Sequence, residues 1–212
     1  MIKALFLLHL FLLPGFLYGS SILDHKGFTH LAFEGIKETI FERTPGLWVL
    51  KVDASSSAMV LAFDKVRSVG GISFEWLSNG QLKMDSAAME KTKKGDDAKI
   101  RVGLILSGES SPIPFFAPSW VKALSGILKQ DTNGLFYLTP GMMTKKGATF
   151  ESPYSDSIKT MSVPSKMLDH KWQQVTERFE KKKQVVGLWI MADGDNTGSS
   201  FTTKLRHLRL LP

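Results

Sequence analysis

The chain runs to 212 residues, with 27 Lys+Arg against 20 Asp+Glu, no cysteine, and ordinary hydrophobic (43%) and charged (22%) fractions. That length favours one domain, and the composition excludes wholesale disorder. Without cysteine there is no disulfide scaffold, thiol nucleophile, thiolate zinc site or lipid-bearing cysteine.

Met1-Ile2-Lys3 gives a short positive start, Ala4 to Leu13 is apolar but for His9, and Pro14-Gly15 breaks the run before Gly19-Ser20-Ser21. This order reads as a secretory signal peptide over residues 1–20. The run is shorter than the ~20 residues a membrane span needs, and Pro14 interrupts it. The expected product is periplasmic or secreted, has no integral membrane segment after cleavage, and forms one domain over residues 21–212. Losing Lys3 leaves 26 basic and 20 acidic side chains, a formal +6. The basic residues are dispersed, the densest runs being Lys91-Thr92-Lys93-Lys94 and Lys181-Lys182-Lys183. Without aromatic–basic interleaving, nucleic acid is not an expected partner. Exposed Lys and Arg are expected instead to favour anionic ligands.

Short strands separated by turn signals dominate the rest. Leu47 to Val52 follows the Pro45-Gly46 turn. Ala58 to Phe63 and Ile72 to Leu77 read as two strands, with Gly70-Gly71 between them. Lys99 to Leu106 alternates, with Ile100, Val102, Leu104 and Leu106 on one face and Lys99, Arg101 and Gly103 on a wet one. Leu135 to Leu138 and Ile158 to Val163 are shorter strands. Val185 to Ala192 is apolar on both faces and reads as a central strand, and Phe201 to Leu210 alternates again. Leu168, Trp172, Val175 and Phe179 recur at helical spacing, which predicts a helix there. Trp120 to Leu128 predicts a second, weaker one. The pattern points to an all-β chain with one or two helices, a β-sandwich or jelly roll similar to galactose-binding-like modules.

The chain has no HExxH, GxGxxG, P-loop or GxSxG motif, and Glu109-Ser110-Ser111 lacks the spacing of a nucleophile elbow. His25, His30, His170 and His207 show no ligand spacing. Two acidic clusters stand at strand ends. In Lys94-Gly95-Asp96-Asp97, period two puts Asp97, Lys99 and Arg101 on one face, so Asp97 and Arg101 are expected near ion-pair reach. Asp193-Gly194-Asp195-Asn196-Thr197-Gly198 follows the all-apolar strand. Turn chemistry explains both clusters. Asp193, Asp195 and Thr197 also imitate the start of an EF-hand loop, but Lys204 stands where that loop requires its bidentate Glu. A calcium site of another design, completed by backbone carbonyls or by Asp96 and Asp97, is the one cofactor considered; otherwise none is expected.

Trp76, Lys94-Gly95-Asp96-Asp97, Arg101-Val102, Trp172 with Arg178, and Asp193-Gly194-Asp195-Asn196-Thr197-Gly198 together resemble the bacterial domain-of-unknown-function family numbered 3047. Phe33-Glu34-Gly35-Ile36-Lys37-Glu38-Thr39 and Ser55-Ser56-Ser57-Ala58 match two further segments of its pattern. The resemblance covers about residues 28–211 and implies an exported β-sandwich, with no activity to inherit. Gly103-Leu104-Ile105-Leu106 departs from the family's tyrosine-rich strand, and residues 110–149 match poorly. The favoured reading is a non-catalytic module of the envelope that binds a glycan or another envelope ligand. Asp96, Asp97, Arg101, Trp76 and Asn196 are its candidate binding residues, and Trp120 is a second stacking platform. A carboxylate-dependent glycan hydrolase or lyase and a structural envelope protein are the alternatives. Trp189 reads as core.

Overall fold

The computed structural model describes residues 21–109, 117–165 and 170–212. The signal segment, the Ser110-Ser111 pair and Leu168 of the helical stripe lie outside the described residues. The strands are β1 Phe28–Ala32, β2 Ile40–Thr44, β3 Leu47–Asp53, β4 Ser57–Gln81, β5 Ala98–Ser107, β6 Thr132–Pro140, β7 Thr149–Ser152, β8 Ser155–Val163, β9 Gln173–Asp193 and β10 Ser200–Leu211. The helix α1, Ser119–Ile127, lies between β5 and β6 as expected. The strands hydrogen-bond in the order β2-β3-β10-β4-β9-β5-β6-β8-β7, with β1 paired to the first half of β4. Every pairing is antiparallel except β6 with β8.

The long strands β4 and β9 carry the architecture. Their ladder shifts register between Ala62 and Arg67 and again between Val69 and Gly71, and such irregularities bend and twist a strand. The sheet thereby folds onto itself. Thr203 in β10 donates to the Lys99 carbonyl in β5 at 2.6 Å, although β4 and β9 separate those strands in the ladder. Between the layers lie Trp48, Leu50, Phe74, Trp76, Ile100, Val102, Leu188 and Leu205, all buried. The all-β sandwich expected from the sequence is the fold.

A second apolar cluster covers the outer face of one layer. Val60, Ile105, Tyr137, Val186 and Trp189 pack there with Leu124 of α1, and Trp120 and Phe33 close over them. This explains one departure from expectation. The face of β5 carrying Lys99 and Arg101 is not wet, since every residue from Ala98 to Ile105 is buried. β5 lies between β9 and β6 with packing on both sides, as a near-central strand must.

Two further expectations are corrected. Residues 58–77 form one strand, not two. Gly70-Gly71 makes no turn; a Cβ on Gly71 would lie 2.4 Å from the Glu177 carbonyl oxygen, and one on Gly70 as close to that of Pro212. These glycines permit close backbone approach at the bulge. The expected helix around residues 168–179 is instead the start of β9, where Phe74↔Val175 and Ile72↔Glu177 are paired. Val175 and Phe179 are four apart, an even step that suits period two as well as a helical turn. Trp172, at an odd step, breaks that period and stands before the strand. Pairing with β4 decides between the two.

Candidate functional site

The two acidic clusters meet because β5 and β9 are adjacent and antiparallel, with Ala98 opposite Asp193. The Ala98 N–H donates to Asp193 Oδ1 at 2.9 Å. Four residues of β5, Ala98 to Arg101, oppose three of β9, Asp193 to Met191, so a bulge lies between. That bulge upsets the period-two count that placed Asp97 beside Arg101. The Arg101 guanidinium, 4% exposed, instead pairs with Asp193 through Nη1 and with Asp96 through Nη2, the latter at 2.7 Å. It also lies 5.6 Å from the centre of the Tyr137 ring.

Asp97, buried, does different work. Its two oxygens accept from the Asn196 N–H and Nδ2 and from the Thr197 N–H and hydroxyl, the last two at 2.7 and 2.6 Å. It thus clamps the turn after β9. The serine and threonine residues of the early chain brace the same turn. Ser55 accepts the Gly194 N–H through its carbonyl oxygen, and Thr39 donates to the Ala192 carbonyl oxygen at 3.0 Å.

Above this turn opens a cleft of about 500 Å³ on the outer face of the β5–β9 layer. Its floor is Tyr137, Trp189 and Met191; Phe33 and Trp120 add two further rings, and Asp96, Arg101, Asp193, Asp195 and Asn196 make it polar, with Ser152 donating to Asp96 Oδ2 at 3.3 Å and Tyr154 beside Asn196. Phe33 stacks on Trp189 with centroids 6.2 Å apart, and Trp120 meets both rings edge-on at 6.1 and 6.0 Å. Tyr154, exposed at the rim, donates to Asn196 Oδ1 at 3.0 Å. Gly103 makes the floor fit. A Cβ there would lie 2.9 Å from the Tyr137 ring and 3.0 Å from Trp189 Cβ, so the departure from a tyrosine-rich strand leaves room for two aromatics side by side.

Electrostatically the site is one cation among carboxylates. Burial opposes the charge of Arg101, but Asp193 and Asp96 outweigh it and hold the group cationic. Burial pushes the proton affinity of Asp193 well up, against the pull of Arg101 and with Asp97, Asp96 and Asp195 reinforcing the rise. Asp195 is raised too, by burial first and by Asp97 next. Its carboxylate has no side-chain hydrogen-bond partner among the described residues. Burial likewise raises the Tyr137 and Tyr154 hydroxyls. At the site, the buried Arg101 Nε and Trp189 Nε1 have no hydrogen-bond partner among the described residues.

Of the expected site residues, Asp96, Arg101 and Asn196 line the cleft, while Asp97 lies behind it as the clamp. Trp76 does not belong. It is 2% exposed between the layers, and its indole donates to Ser165 Oγ at 3.1 Å. Its neighbours along β4 point inward with it at period two, which makes it core. Trp189, read as core alone, is buried yet forms the cleft floor. Tyr137 lies within the poorly matching stretch 110–149 and Tyr154 just beyond it, and no motif pointed to either. The anionic preference expected from overall charge is also reversed locally, since four carboxylates and one guanidinium line this cleft.

Asp97, Asp193 and Asp195 each offer an oxygen within 4.8 Å of the others. Thr197, expected in the calcium set, turns its hydroxyl to Asp97 instead. Calcium takes six to eight oxygens, and here Asp97 accepts four donors and Asp193 two, which a bound ion would have to displace. A serine–histidine–glutamate arrangement also exists, with His30 Nε2 3.0 Å from Ser57 Oγ and His30 Nδ1 3.7 Å from Glu38. Ser57 is fully buried and hydrogen-bonded to the Thr39 backbone, so no substrate reaches it. No helix among the described residues is long and apolar enough to cross a membrane.

The class defined so far is an all-β sandwich bearing an acidic, aromatic-floored cleft outside one layer. The chain belongs to the family described as protein of unknown function (DUF3047), whose model matches residues 26–209. The carbohydrate recognition domain of Emp46p, in a metal-free crystal form, is similar at a TM-score of 0.34 and 14% identity, covering 85% of this chain and 88% of that one. The family 11 xylanase from Neocallimastix patriciarum is similar at a TM-score of 0.33 and 8% identity, covering 86% and 98%. The search of curated proteins gives no significant match.

Proposed function

We propose that the protein is an exported, non-catalytic glycan-binding module of the envelope, with its ligand seated in the cleft above β5 and β9. One observation carries this reading: aromatic rings and hydrogen-bonding side chains line the same cleft. A sugar ring has the matching pair of surfaces, an apolar C–H face and an edge of hydroxyls. Pockets that combine apolar walls with a few convergent polar groups are the usual places for small ligands. The unsatisfied Trp189 Nε1 adds a donor at the floor.

Binding is favoured over hydrolysis by the state of the carboxylates. Glycosidase chemistry requires two, one as acid and one as base or nucleophile. Asp97 is saturated by the Asn196-Thr197 turn, and Asp193 and Asp96 are engaged by Arg101. Of these aspartates Asp195 is the one left without a side-chain partner among the described residues, and Glu34 stands apart at the exposed rim. The test is a panel of oligosaccharides titrated by calorimetry, with hydrolysis assayed on the same preparation. Trp120→Ala should weaken binding by about tenfold or more, as loss of an aromatic anchor does, with little change in melting temperature. Turnover that vanishes in Asp195→Asn would favour the hydrolase or lyase instead. Silence in both assays would favour a structural envelope role.

A further inference from the structure

We infer that the ligand of this cleft carries a free, cationic amine, as an amino sugar without its acetyl group does; the inference rests on the glycan reading above. The observation is a reversal of charge. The chain as a whole is basic, yet Glu34, Asp96, Asp193 and Asp195 line the cleft against Arg101 alone. Arg101 is not available to an anionic ligand, because Asp96 and Asp193 occupy its two terminal nitrogens. Asp97 lies directly behind and adds its charge to the same cleft. Lys93, on the Tyr154 side, has its ammonium over the Tyr154 ring at 5.4 Å.

Asp195 is therefore a half-buried carboxylate that lacks a side-chain partner among the described residues, in a cleft with a formal excess of negative charge. The Phe33, Trp120 and Trp189 rings line the same cleft. A carboxylate and aromatic rings in one cleft attract an ammonium, through charge on the one and the ring quadrupole of the others. A uronic acid or phosphate in the same position would meet like charge from Asp195, with both terminal nitrogens of Arg101 already paired. An N-acetyl group would leave the carboxylate desolvated and unpaired, which is unfavourable in itself.

Short oligomers discriminate these cases, and the protein's own charge removes the usual artefact. A basic protein repels a polycation, so preference for an amine cannot come from bulk attraction. The probes are the tetramers of glucosamine, of N-acetylglucosamine and of galacturonic acid, titrated by calorimetry at pH 6 in chelator. The glucosamine tetramer should bind at least about tenfold tighter than its acetylated counterpart, the sum expected of one ion pair and one cation–π contact. Asp195→Asn should bring that ratio to within about threefold, with the acetylated tetramer binding no more weakly than before, since no carboxylate is then left desolvated against it. Glu34→Gln, at the exposed rim, should lower it by a smaller factor and serves if the first variant is unstable. Equal or tighter binding of the acetylated or acidic tetramer overturns the amine inference and leaves the glycan reading standing. A preference that survives Asp195→Asn overturns it as well. Failure of every tetramer to bind removes both.

Discussion

Among the described residues Arg101 is the only positive charge lining the cleft, and replacing it by methionine tests the electrostatic account directly. In the substituted protein Asp193 keeps the Ala98 N–H but loses the guanidinium, and it stays buried within reach of Asp97 and Asp195. Breaking a buried pair from one side typically costs ~3–5 kcal/mol, because the remaining charge is stranded. Against a total stability of ~5–15 kcal/mol, that is a large fraction. For a chain of this length, with a urea slope of ~2–3 kcal/mol/M, the unfolding midpoint should fall by ~1–2 M. The loss should depend on pH in a definite direction. A carboxyl that binds its proton more tightly folded than unfolded makes the fold less stable as pH rises above its unfolded value, and more stable as pH falls toward it. Burial already raises Asp193 in that sense, and Arg101 opposes the rise. Arg101→Met should therefore be most destabilised at pH 7.5 and recover in part at pH 5. Adding Asp193→Asn removes the stranded charge, so the double variant should be less destabilised than the two single losses together. Urea denaturation of the four proteins at both pH values is the assay. An equal loss at pH 5 and 7.5, or strict additivity of the two substitutions, would refute the reasoning.

Other expectations follow from single contacts. Gly103→Ala puts a methyl 2.9 Å from Tyr137 and 3.0 Å from Trp189; overpacking of this kind costs ~1–3 kcal/mol, visible in the melting temperature together with a change in tryptophan fluorescence. Trp76→Ala should destabilise by ~3–5 kcal/mol, as large core truncations do, while any oligosaccharide affinity of the protein that remains folded is unchanged; a selective loss of binding would return Trp76 to the site. Melting curves in calcium and in chelator should superimpose, because hydrogen bonds already occupy Asp97 and Asp193. A rise of roughly 5–10 °C at saturating ion would show that calcium displaces them. The protein recovered from a periplasmic or secreted fraction should have an intact mass beginning near Ser20 or Ser21, and retention of Met1 through Leu17 would contradict export with cleavage.

The β-sandwich and most of its strands were legible in the sequence because strand character is local. Alternation over Phe201 to Leu205 and the unbroken apolar run Val185 to Ala192 follow from which faces are buried, and side-chain period alone reports that; past Arg206 a register shift breaks the expected alternation and buries Leu208 with Leu205. The acidic turns were legible for a similar reason, since Asp, Gly and Asn at strand ends satisfy turn geometry. Three things were decided by the tertiary structure. Residues 173–179 carry spacing compatible with either period, and the hydrogen bonds of β4, about a hundred residues distant in the chain, selected the strand. Arg101 took Asp193 and Asp96 as partners instead of Asp97 because a bulge against β9 shifted the count, and no property of residues 97–101 by themselves announces a bulge. The cleft itself has no sequence signature. Phe33, Trp120, Tyr137, Tyr154 and Trp189 come from separate segments and become one surface only when the sheet folds over and α1 lies across its outer face. A sequence records which side chains prefer burial; which buried rings share a wall depends on strand order, and strand order is set by long-range pairing.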